Sequence, residues 1–344
     1  MIRLLIVDDS AFMRIALRKM VEHCDDIIVV GEAKDGLCAL RMAQELRPDV
    51  ITMDVEMPEM DGLAATQAIM QSVPCPIIMI SSLTSRGALT TIEALEKGAV
   101  DFISKESSFV QLDIGQIAEE LVEKIRFWYA QSGTRMKPPA ASFIPLIPTE
   151  KRITPIGKVG LVVVAVSTGG PAAMPILLKN MGAISCPMVI AQHMPAIFTR
   201  GFADHMRFET GLNVVESENG MILTPGMIVV ASGGKDCVVR EPFLGKLMVY
   251  EKLVESAPIH PNADVLFNSA LSLSVNVVAV VMTGMGNDGL QGALALQAKH
   301  TPILVQQPSS CVVDGMPGAI IDAGVPSEIL GLAELGKRLA KWCK

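Results

Sequence analysis

Four short apolar runs near the N-terminus each stop on a residue able to do chemistry. Met1–Val7 stops at Asp8-Asp9, Pro48–Met53 at Asp54, Pro76–Ile80 at Ser81-Ser82, and Ala99–Ser104 at Lys105. Between such runs lie stretches of helical period, near Ala11–Glu22, Gly36–Glu45, Gly62–Met70, Gly87–Lys97 and Gln111–Phe127. Strands at Arg3–Val7, Ile27–Gly31, Val50–Met53, Ile77–Ile80 and Val100–Ile103 alternate with these helices through short loops. That alternation predicts a parallel, doubly wound α/β sheet with helices on both faces. In such a sheet the strand ends share one edge, where ligands bind.

Three acids, a hydroxyl and a lysine therefore converge. At ~5 Å each carboxylate pair costs roughly 3 kcal/mol with an effective dielectric near 20. A hard dication removes that cost, and Mg²⁺ favours a few carboxylates together with phosphate oxygens. Asp54 is the expected phosphoryl acceptor, Asp8 and Asp9 the metal holders, Lys105 the partner of the phosphoryl oxygens and Ser81 a hydrogen-bond donor to one of them. A single aspartate in such a place more often caps a helix or punctuates a loop. All of these positions together, on strands in the correct order, do not.

The pattern breaks at Gln131–Lys158, which holds five prolines and no sustained period. This reads as a linker, with Phe143-Ile144 and Leu146-Ile147 apolar enough to pack on a surface. From Val159 the alternation resumes. Strands are expected at Gly160–Val166, Met188–Ala191, Met227–Val230, Val277–Met282 and Ile303–Val305, helices at Asn262–Leu273 and Gly289–Lys299, and a hairpin around Gly245. A length of 344 residues suits two such domains.

Bulk properties narrow the function. The formal net charge of −7 and the absence of a Lys/Arg run argue against nucleic acid or an anionic membrane as partner. No apolar stretch approaches the roughly 20 residues of a membrane span. The start of the chain has no signal-peptide pattern, and seven scattered cysteines without a C-x-x-C suit a reducing cytoplasm.

The second half carries three polar turns after apolar strands. Ser167-Thr168-Gly169-Gly170-Pro171 can expose a serine hydroxyl beside backbone N–H groups, which suits an oxyanion or, equally, a phosphate. Against phosphate, the P-loop lysine and the G-x-G-x-x-G spacing are absent. Gln192-His193-Met194 and Thr283-Gly284-Met285-Gly286-Asn287-Asp288-Gly289 would be unremarkable alone, as a surface histidine and a helix cap. Together, Ser167, His193 and Asp288 supply nucleophile, base and orienting carboxylate. Their chain order differs from the Ser…Asp…His of α/β-hydrolases.

LLIVDDSAFMR, MDVEMPEMDG, MISS and DFISK closely resemble the receiver domain of two-component response regulators. The resemblance implies a flavodoxin-like fold over residues 1–126 and phosphotransfer from a histidine kinase to Asp54. It implies Mg²⁺ held by Asp8, Asp9, Asp54 and the Glu56 carbonyl, with Phe102 at the aromatic switch position beside Ser81 and Lys105. Glu106 stands where that family usually has proline. STGGP, QHM with FTRGFA, and TGMGNDG resemble the catalytic domain of chemotaxis protein-glutamate methylesterases, the CheB family. This second resemblance implies a Rossmann-like esterase domain over residues 156–344, after a linker at 127–155. It implies hydrolysis of glutamate methyl esters on the cytoplasmic part of chemoreceptors, and deamidation of receptor glutamines, with no cofactor for the ester chemistry. Ser167 would attack, His193 would shuttle the proton, Asp288 would orient it, and the amides of Thr168 and Met285 would form the oxyanion hole. Around the cleft the chain departs from the family's pattern at Asp236, His260, Gln307 and Asp314. Two rival readings are a receiver joined to a non-catalytic docking module, and a phosphate- or nucleotide-binding enzyme using Gly169-Gly170.

Overall fold

The structure is a computed structural model that describes residues 1–81, 85–105, 114–135, 155, 157–243, 245–257 and 259–344. Ser82, Glu106, Phe143-Ile144, Leu146-Ile147 and most of the expected linker lie outside the described residues. The chain divides into two compact units, Met1–Leu146 and Ile147–Lys344.

The first unit runs β1 (Ile2–Val7), α1 (Ala11–Val21), β2 (Ile27–Ala33), α2 (Gly36–Leu46), β3 (Val50–Asp54), α3 (Gly62–Ser72), β4 (Ile77–Ser81), α4 (Ser85–Glu96), β5 (Asp101–Ser104) and α5 (Ile114–Arg135). Its sheet has the order β2-β1-β3-β4-β5, the flavodoxin-like arrangement, and every pairing in it is parallel. Side chains fix where its first helices begin. Asp35 accepts the Cys38 amide at 2.7 Å and Asp61 the Ala64 amide at 2.8 Å, which satisfies donors left over at the N-termini of α2 and α3. Register then brings the strand ends level: Val7 pairs with Met53, Asp54 with Ile80, and Ser81 with Ser104.

One boundary differs from expectation. Residues 127–135, expected within the linker, are helical, because α5 continues to Arg135. Ile117, Leu121, Ile125 and Trp128 recur at helical spacing and are all buried. The Trp128 indole N–H also reaches Asp101 Oδ2 at 3.2 Å, so the turn beyond Phe127 is anchored to β5.

The second unit runs β6 (Val159–Val166), α6 (Gly170–Met181), β7 (Met188–Gln192), α7 (Ala196–Thr210), β8 (Val214–Glu216), β9 (Met221–Ile222), β10 (Ile228–Val230), β11 (Asp236–Phe243), β12 (Lys246–Lys252), α8 (Ala263–Ser269), β13 (Asn276–Val281), α9 (Leu290–Gln297), β14 (Ile303–Gln306), α10 (Gly315–Asp322), β15 (Glu328–Leu330) and α11 (Leu332–Trp342). Its main sheet is parallel, ordered β15-β14-β13-β6-β7-β10-β8, while β11-β12-β9 form a small antiparallel sheet that includes the hairpin expected around Gly245. Strand β6 is buried almost throughout, which explains its valine-rich sequence without a charged or polar side chain. The chain leaves β6 for β7 on one side and returns at β13 on the other, so the strand order reverses at β6. That reversal opens the crevice where α/β sheets bind ligands. Among the described residues no helix is long and apolar enough to cross a membrane.

Candidate functional site

In the first unit, β1, β3 and β4 deliver Asp8, Asp54 and Ser81 to one edge, each almost fully buried, with Asp9 exposed beside them. Lys105, just after β5, places its ammonium 2.7 Å from Asp54 Oδ2 and 3.0 Å from Asp8 Oδ2. Asp8 Oδ2 accepts no well-aligned hydrogen bond among the described residues, although that ion pair reaches it. Burial, with the Asp8 charge behind it, pushes the Asp54 carboxyl up to about 6 against the opposing pull of Lys105. Burial raises Asp8 as well.

Ligand oxygens of Asp8, Asp9 and Asp54 lie within 4.8 Å of one another. Such an oxygen-only set, short of positive charge, fits a hard divalent cation. The exposed Glu56 follows in the turn after β3. The Ser81 hydroxyl accepts a hydrogen bond from Thr91 Oγ1 at 2.7 Å, and Phe102 has its carbonyl bonded by Lys124 at 2.8 Å with the same ammonium 5.5 Å from its ring centre. Gly62 permits the tight turn behind Asp54, because a Cβ there would run into the Asp54 carbonyl oxygen.

In the second unit, Ser167 follows β6, His193 follows β7, and Asp288 lies in the turn after β13. Val166 pairs with Gln192 and Ala165 with Val281, so the three turns adjoin on neighbouring strands. The Ser167 amide donates to the Thr283 carbonyl at 3.0 Å, and the His193 amide to the Val166 carbonyl at 3.0 Å. His193 Nε2 lies 2.7 Å from Asp288 Oδ2. No hydrogen bond joins the Ser167 hydroxyl to His193 among the described residues; catalytic hydrogen bonds commonly tighten only in the Michaelis complex. Burial pushes the Asp288 carboxyl up, but hydrogen bonds from His193 and from the Ala263 and Asp264 amides outweigh it and hold the pKa below its ordinary 3.8. Asp288 is thus an anion beside the imidazole at neutral pH.

The amides of Thr168 and Met285 donate to no protein group among the described residues, whereas the Gly170 amide is used on the Ser167 carbonyl at 2.8 Å. Two supports escaped the sequence reading. Gln192, buried, donates its amide to the Ser167 carbonyl at 2.9 Å and the His193 carbonyl at 3.1 Å. The Thr283 hydroxyl donates to the Thr168 carbonyl at 2.9 Å, tying the serine turn to the turn that carries Asp288. Both residues sit inside the motifs QHM and TGMGNDG, where a polar residue at a buried strand end is the available signal.

Residues 4–114 match the response regulator receiver domain, and residues 162–339 match the CheB methylesterase family. The chain is 41% identical over 349 residues to protein-glutamate methylesterase/protein-glutamine glutaminase 2 of Carboxydothermus hydrogenoformans, covering 99% of this chain and 98% of that protein. It is 37% identical to the protein-glutamate methylesterase/protein-glutamine glutaminase of Thermotoga maritima, covering 98% of this chain and 97% of that protein. The crystal structure of the Thermotoga maritima CheB methylesterase catalytic domain superposes with a TM-score of 0.51 at 27% identity, over 54% of this chain and 99% of that one. These matches do not support the docking-module or nucleotide-binding readings. With a receiver domain ahead of a methylesterase domain, and relatives of the same organisation along nearly its whole length, the chain belongs to the CheB methylesterase family.

Proposed function

We propose that Ser167, His193 and Asp288 hydrolyse glutamate methyl esters on chemoreceptors under the control of phosphorylation at Asp54. The observation that carries this reading is the 2.7 Å contact between His193 Nε2 and Asp288 Oδ2, one strand away from Ser167. Because Nε2 is committed to Asp288, the nitrogen left for the serine proton is Nδ1. Ser167 Oγ attacks the ester carbonyl while His193 takes its proton, and Asp288 stabilises the resulting imidazolium. The amides of Thr168 and Met285 donate to the developing oxyanion. Collapse expels methanol with the proton returned by His193, and water then releases the glutamate carboxylate by the same route. A glutamine side chain would follow this path with ammonia as the leaving group.

In the receiver, Asp54 accepts the phosphoryl group from a histidine kinase, and Lys105 and Ser81 contact its oxygens. Asp8, Asp9 and Asp54, with the Glu56 carbonyl, are the groups that would hold Mg²⁺, and the bound ion supplies neutralising charge for the incoming phosphate. The test is to incubate the protein with methyl-labelled receptor and follow methanol release. Ser167→Ala should slow release by about 10⁴- to 10⁶-fold, and adding His193→Ala should cost little more. Independent, multiplicative losses would mean that the two residues do not act as a unit.

A further inference from the structure

Asp288 is held by more than the catalytic histidine. Its Oδ2 also accepts the Ala263 amide at 2.6 Å, and its Oδ1 accepts the Asp264 amide at 3.0 Å and the Gly289 amide at 2.9 Å. Ala263 and Asp264 open α8, so Asp288 is only as well oriented as that turn. The turn is fixed in its own right by Asp236, the fully buried first residue of β11. Asp236 Oδ1 accepts the Asn262 amide at 2.9 Å, while Oδ2 accepts the Val254 amide at 2.9 Å and lies 3.0 Å from His260 Nδ1. A carboxylate this deeply buried needs each of those donors.

The same stretch also braces the other partner. A Cβ on Gly233 would run into the Met194 carbonyl oxygen and the Ala196 nitrogen, in the turn directly after His193. The Gly233 amide donates to Thr199 Oγ1 at 3.3 Å, and the Gly234 amide to the His260 carbonyl at 3.3 Å. One continuous segment thus touches the turn bearing His193 and the turn gripping Asp288.

We infer that buried Asp236 and half-buried His260 form a positioning pair that locks residues 260–264 so that the Ala263 and Asp264 amides hold Asp288 in register with His193. The inference rests on the esterase reading above. Neither residue is assigned contact with substrate; their effect passes through Asp288.

The experiment uses the full-length protein and methyl-labelled receptor, with thermal melts for every variant. His260→Ala should lower kcat about 10-fold with KM within about twofold, and Asp236→Asn should lower it about 10- to 100-fold, the range for groups that orient a site from behind. His260→Asn, whose side-chain N–H can replace Nδ1, should restore most of the rate. The low-field proton resonance of the His193–Asp288 hydrogen bond should shift in His260→Ala and return in His260→Asn. Wild-type kcat in His260→Ala, or an Asn variant as impaired as the Ala variant, overturns the inference. Should Asp236→Asn fail to fold, the two His260 variants decide. An inactive wild type, or a fully active Ser167→Ala, overturns the esterase reading instead.

Discussion

The two units each build their chemistry around a buried aspartate, and they treat it in opposite ways. Asp54 faces another acid and one lysine, and burial pushes its carboxyl up to about 6. Asp288 takes three backbone amides and an imidazole, and is held below its ordinary 3.8. The first carboxylate is left short of partners, which suits the cation and phosphoryl group proposed for it. The second is fully satisfied and has no reason to change state. An acceptor must be ready to react, whereas a support must not be; the number of amide donors sets which role a carboxylate can play.

The largest test of this contrast removes the charge from the support. Asp288→Asn should lower ester hydrolysis by about 10⁴-fold, since the His193 tautomer is no longer fixed. A loss under about tenfold, measured by methanol release, would make Asp288 a bystander. A smaller effect concerns protons at the acceptor. Mg²⁺ affinity should be about tenfold weaker at pH 5 than at pH 7, because protons compete for a carboxyl that titrates near 6. Metal titrations at the two pH values check this, and equal affinities would break the comparison. Asp288, with its lowered pKa, stays ionised across that window.

The smallest effect is on stability. The folded chain keeps the Asp54 proton up to about pH 6, while the unfolded chain releases it near 3.8. Stability from this group therefore falls as pH rises between those values, and the penalty is complete above the upper one. Asp54→Asn should remove it and stabilise the receiver near neutral pH, in the absence of Mg²⁺, while abolishing labelling by a small phosphodonor. Denaturant melts at about pH 5 and pH 7.5 would expose an error of sign.

Strand ends were the most readable part of the molecule. Asp8, Asp54, Ser81, Ser167 and His193 announce themselves because a buried apolar run has to stop before a polar side chain. Helix α6 was harder: Pro171 suits its first turn, but Pro175 lies inside the helix, where it removes a backbone hydrogen bond and masks the pattern. The C-terminal helix α11 does carry a helical period, burying Leu335 and Leu339, that the sequence reading passed over, whereas short edge strands such as β8 and β15 hold too few residues to establish one. The amide cage around Asp288 was beyond reach, because main-chain donors leave no trace in residue type. Asp236 and His260 looked like isolated departures until the fold set them 3.0 Å apart.

The placement of β13 beside β6 also governs when the esterase can first exist. His193 and Asp288 are 95 residues apart in sequence, and their strands meet only through the β13–β6 pairing. Long-range parallel pairing closes slowly, since loop entropy is spent before the contacts form. A nascent chain leaving the ribosome therefore presents its serine and histidine well before the acid that organises them. With the proposed triad, the Ser167 hydroxyl stays idle through most of synthesis, and the hydrolase switches on only when the last third of the polypeptide has folded back onto the middle of its sheet.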